Sequence, residues 1–110
     1  MNLLRSDITV QALIRRATSN GAFAVVRKHG DDDAGSVLVM VSTMDGLATL
    51  YGPTRDENFN RVWERLCPPA SPEVEIEKTL AKRLQFDPDI WVIEIEDRQG
   101  RHFLAETVMD

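Results

Sequence analysis

Three groups of residues in this chain of 110 have side chains that could do chemistry. The first is "HGDDDAG", residues 29–35, where His29, Asp31, Asp32 and Asp33 offer one imidazole and three carboxylates to a divalent metal. Consecutive aspartates point in different directions, however, and calcium loops set their oxygens at alternate positions before a closing glutamate. That spacing is absent. A phosphate cradle fits worse, because the stretch is acidic and lacks the lysine of a nucleotide-binding loop. Asp and Gly are turn formers, so the expectation is a solvated turn with exposed, unconverged carboxylates.

The second group is Cys67 with the two histidines, His29 and His102. A nucleophilic thiol needs a base and a positive setting, and both imidazoles lie far from Cys67 in sequence. A single cysteine excludes an internal disulfide and suits a reducing cytoplasm. The third group is the C-terminal block, where Asp87, Asp89, Trp91, Glu94, Glu96, Asp97 and Arg98 form a candidate functional surface. Glu94 and Glu96 share a strand face, and paired carboxylates can shift each other's pKa for acid–base work. The plainer reading is a solvated strand face balanced by Arg98 or Arg101. No Ser-His-Asp pattern, zinc spacing or glycine-rich nucleotide fingerprint occurs, so no catalytic residue, metal or cofactor is assigned.

The elements that must position these groups follow from periodicity. Ser6 or Asp7 can cap a helix running to about Asn20, with Val10, Leu13, Ile14 and Ala17 on one stripe and Gly21 as its stop. "AFAVVRKH", "SVLVMVST" and "LATLYGP" read as three strands of an antiparallel meander. Residues 59–66 fit a helix or a strand, with a fourth strand preferred before Pro68 and Pro69. Ser71 and Pro72 open a second helix, with early glutamates and late Lys82 and Arg83 complementing its dipole. "FDPD" ends it, because Asp87 precedes a proline. "IWVIEIE", "DRQG" and "RHFLAE" suggest a closing hairpin. The expected class is α+β: one domain over residues 1–110, a small antiparallel sheet, and two helices mainly on one face. The expected core includes Leu13, Ile14, Phe23, Val25, Val39, Leu80, Trp91 and Ile93.

Several segments together resemble a known family. "FAVVRKHGDDDAGSVLV", "DGLATLYGP" and "FDPDIWVIEIEDRQGRHFL", following a helix ending in "LIRR", resemble an alphaproteobacterial family known as domain of unknown function 1491. The likeness runs from about Ile8 to Leu104 and is least marked across residues 54–72. It implies a small bacterial cytoplasmic protein and supplies no activity, substrate or catalytic residue.

Composition narrows the function classes. The net charge is −5, unfavourable for a nucleic-acid binder, which needs a basic surface. Residues 1–30 carry +4 and the rest −9, which the chain can absorb by laying a basic first helix near acidic strands. No apolar run approaches the roughly 20 residues of a membrane span, and the N-terminal residues lack a signal peptide's apolar core. "AFAVV" and "VLVMV" are apolar on both strand faces, and such strands are normally covered on both. Two helices on one face would leave the other for a second copy. Two readings therefore stand: a non-enzymatic binding or self-associating module, and a small hydrolase-like acid–base enzyme using the hairpin carboxylates and a histidine.

Overall fold

The computed structural model of the protein describes residues 5–109. Its first helix, α1 (Ser6–Ser19), buries Val10, Leu13 and Ala17 along the stripe that the periodicity predicts. Asn20 and Gly21 end it, Gly21 at φ +87 with its N–H donated to the Thr18 carbonyl. The second, α2 (Glu73–Phe86), buries Ile76 and Leu80 and carries Glu73 and Glu75 in its first turn and Arg83 in its last. Seven strands complete the described residues: β1 (Phe23–Lys28), β2 (Val37–Ser42), β3 (Leu47–Arg55), β4 (Arg61–Arg65), β5 (Ser71–Pro72), β6 (Trp91–Glu96) and β7 (Val108–Met109). The fourth strand expected around Trp63 is present as β4.

The class is α+β, and the sheet differs from a pure meander in one instructive way. Its order is β1-β6-β2-β3-β4-β7, with β5 on β3. Only β2, β3 and β4 form a meander; β6 inserts between β1 and β2, antiparallel to the first and parallel to the second. The cause lies in β2, which is buried at all six positions. So apolar a strand belongs in the middle of a sheet, and α2 is the crossover that returns the chain to lie parallel to it.

Both differences at the C-terminal end follow from that insertion. With both edges of β6 occupied, "RHFLAE" has no place beside it, and the closing hairpin is not formed. Residues 101–107 instead run along the α1 side: Phe103 and Leu104 pack on the core, Arg16 Nε donates to the Phe103 carbonyl, and β7 pairs parallel with β4. The helices lie on opposite faces rather than mainly on one. Val37, Val39, Val41, Trp91, Ile93 and Ile95 point toward α1, while Leu38, Met40, Leu50 and Val92 pack with Ile76 and Leu80 of α2. The chain thus covers both faces of its central strands by itself.

Of the expected core, Leu13, Val39, Leu80, Trp91 and Ile93 are buried and Ile14 is half-buried. Phe23 and Val25 are not: they are 59% and 37% exposed. Both sit on β1, an outer strand with a neighbour on one side only.

Candidate functional site

"HGDDDAG" is a packed crossing rather than a free turn. Because β6 separates β1 from β2, residues 29–36 must pass over the start of β6. There the Trp91 indole N–H donates to the Asp31 carbonyl at 2.7 Å, and the Asp31 N–H donates to the Asp89 carbonyl at 3.0 Å. His29 stacks on Trp91 with ring centroids 4.0 Å apart. A Cβ on Gly30 or on Gly35 would come within 2.3 Å of the Asp89 carbonyl oxygen, so both positions need the bare backbone of glycine. The loop also caps α1: the Ser6 and Asp7 amides donate to the Asp33 and Asp32 carbonyls, and the Ser6 hydroxyl to the Gly35 carbonyl. Neither Ser6 nor Asp7 is the N-cap expected from sequence. That place falls to Arg5, with no side-chain cap.

The three aspartates serve separate partners. Asp31 Oδ2 accepts from the Asp33 and Ala34 amides, Asp32 meets His29 Nε2 at 2.7 Å, and Asp33 meets Arg5 at 3.2 Å. Among the described residues, no three His, Cys, Asp or Glu side chains gather as a metal site.

The candidate residues of the C-terminal block are divided among three places. Asp87 accepts from the Asp89 amide just past α2, and Asp89 and Trp91 hold the crossing loop. Glu94 and Glu96 share the α2 side of β6, opposite Val25 and Phe23. Burial raises the Glu94 pKa, and Arg27, 3.6 Å away, opposes the rise. Asp97 is a buried turn anchor: its carboxylate accepts from the Arg101 backbone amide, Nε and Nη2. The Arg101 side chain holds its pKa below the ordinary carboxylate value. Arg98 is exposed on that turn.

Neither histidine joins these carboxylates. His102 lies on the α1 side against Tyr51, with Nδ1 accepting the Leu104 amide. Burial, with the charge of Arg65, lowers its pKa. Cys67 packs on the α2 side, its thiol 3.5 Å from the Thr79 hydroxyl. The Cys67–His102 combination is therefore split across the sheet.

A cleft of about 360 Å³ lies elsewhere, between the start of α1, the crossing loop and the β3–β4 pair. Arg55 and Arg61 line it with Thr9, Ser36, Pro53 and Trp63. Sequence reasoning missed it, since its residues come from five separated segments. Strand pairing alone, with Arg55 opposite Arg61, was the usable signal.

This geometry can be set beside known proteins. The model of the family described as "Protein of unknown function (DUF1491)" matches residues 4–105. The chain belongs to the DUF1491 family. A crystal structure of a DUF1491 family protein from Caulobacter crescentus CB15 is 44% identical, with TM-score 0.90 over 97% of this chain and 100% of that one. An NMR structure of a DUF1491 family protein from the same organism is 43% identical, with TM-score 0.87 over 100% of each chain. The solution structure of protein Atu0922 from A. tumefaciens is 32% identical, with TM-score 0.82 over 97% of each. Among curated proteins nothing matches. The DUF1491 resemblance of the sequence is thereby established. No helix among the described residues is long and apolar enough to cross a membrane.

Proposed function

We propose that this protein is a non-enzymatic binding module that pairs with a second copy of itself through the open edge of β1. The observation that carries the reading is exposed apolar surface on an outer strand: Phe23, Val25 and Val26 are 59%, 37% and 41% exposed. Phe23 and Val25 lie on the α2 face and Val26 on the α1 face, and natural edge strands usually avoid or cover such apolar exposure. A second copy fits it by symmetry. Across a two-fold axis the strands run antiparallel, so the Phe23 end of one meets the Lys28 end of the other. The irregularity between Val26 and Lys28 limits the flat edge to a few residues, which favours a weak dimer.

The acid–base alternative has less support, because Glu94 and His102 face opposite sides of the sheet and Asp97 is held by Arg101. The free thiol of Cys67 and the net charge of −5 favour a cytoplasmic protein without nucleic-acid or membrane partners. Light scattering from micromolar to submillimolar protein tests the dimer. The mass should rise toward twice that of the chain, and Phe23→Lys should abolish the rise while leaving the circular dichroism unchanged. A constant monomer mass at every concentration refutes it.

A further inference from the structure

We infer that the cleft between the start of α1 and the β3–β4 pair binds a small amphipathic oxyanion: a phosphate monoester or carboxylate carrying an apolar group. Its volume of about 360 Å³ falls within the common range for small-molecule sites, about 300–1,000 Å³. Arg55 and Arg61 are directly opposed across β3 and β4, and like charges so placed repel each other. Among the described residues neither is ion-paired, and Arg55 donates only through Nη1, to the Phe59 carbonyl. Two guanidinium groups with spare donors match the planar or tetrahedral oxygens of an oxyanion, which would relieve their repulsion.

Other groups on the walls fit the same ligand. Thr9 and Ser36 line the cleft, and neither hydroxyl has a hydrogen bond to any described residue. The start of α1 faces the cleft, and its dipole adds a positive field, although its first amides are met by the crossing loop. Two carboxylates on the rim have donors already: Asp33 meets Arg5 at 3.2 Å, and Glu106 accepts the Trp63 indole N–H at 3.0 Å. Pro53 and Trp63 supply apolar wall, which an inorganic anion would leave unused. The strands that carry Arg55 and Arg61 stand three and four places from β1 in the sheet order, so the arginines lie away from the proposed pairing edge.

The Trp63 indole N–H is a built-in reporter, because Trp63 and its partner Glu106 line the same cleft as both arginines. Titrations of the isotopically labelled protein would use phenyl phosphate, benzoate, inorganic phosphate and neutral benzyl alcohol, following that resonance. Phenyl phosphate or benzoate should shift it saturably, with half-saturation at about a millimolar or below. Whichever of the two binds more tightly identifies the oxyanion. Arg55→Gln and Arg61→Gln should each weaken the effect about tenfold, and Arg61→Lys should weaken it less. Absence of a saturable shift with both anions, equal binding of benzyl alcohol, or unchanged affinity in both glutamine variants overturns the inference. Inorganic phosphate binding as tightly as phenyl phosphate would overturn its amphipathic part.

Discussion

Asp31, Asp32 and Asp33 look equivalent in the sequence and differ in the fold. Asp31 holds two backbone amides of its own loop, whereas the other two side chains reach only exposed partners. Asp31→Ala should therefore cost about 1 kcal/mol in urea denaturation, the usual worth of such bonds. Asp32→Ser with Asp33→Ser should cost about 0.5 kcal/mol or less, as for ordinary surface positions. A pH effect belongs to His102. Its pKa is lowered in the fold by burial and by Arg65, so the unfolded chain takes up a proton first as pH falls through about 6.5. Folding stability should decline from there toward the lowered folded value and then level off. Protonating Nδ1 also removes the acceptor for the Leu104 amide. In His102→Gln the stability between pH 7 and 5 should be flatter, as read from denaturation midpoints across that range.

At the scale of elements, the crossing loop couples three parts of the chain: the end of β1, the start of β6 and the first turn of α1. Gly35 has no room for a side chain, since a Cβ would meet the Asp89 carbonyl at 2.3 Å and Asp31 backbone atoms at 2.9 Å. Gly35→Ala should destabilise the protein by about 1–3 kcal/mol, as overpacking does. It should also uncouple the loop from α1. Amide hydrogen exchange should then speed up at Ser6, Asp7 and Asp31, whose donors end on this loop or on Asp89, more than at the β2–β3 ladder. Equal acceleration everywhere would mean that the loop does not cap the helix independently.

For the molecule as a whole, the decisive feature is that β2 and β6 need cover on two faces and two edges. The chain provides all four: α1 and α2 on the faces, β1, β6, β2 and β3 as neighbours. Doubly apolar strands alone are thus no reason for self-association here. The proposed pairing rests instead on β1, where Ala24 and Val26 share the α1 face with Ile95 and Ile93 while Phe23, Val25 and Val26 remain in contact with solvent. The proposed self-association uses β1, and the proposed anion site has its arginines on β3 and β4.

Local sequence determined the elements, because their signals are short-range. Apolar residues three and four apart marked both helices, valine-rich runs marked β1 and β2, and Gly21 and Asp87-Pro88 marked the helix ends. It also carried the family, through segments such as "FDPDIWVIEIEDRQGR", and it separated Glu94 and Glu96 from the buried face of β6. What only tertiary structure decided was adjacency. Periodicity cannot say that β6 slides between β1 and β2, because parallel pairing depends on contacts more than fifty residues apart. That single insertion exposes Phe23 and Val25, turns "HGDDDAG" from a hairpin turn into a docked crossing, and denies "RHFLAE" a partner strand. The cleft was hidden for the same reason: Thr9, Ser36, Arg55 and Arg61 become neighbours only when helix, loop and hairpin are folded together.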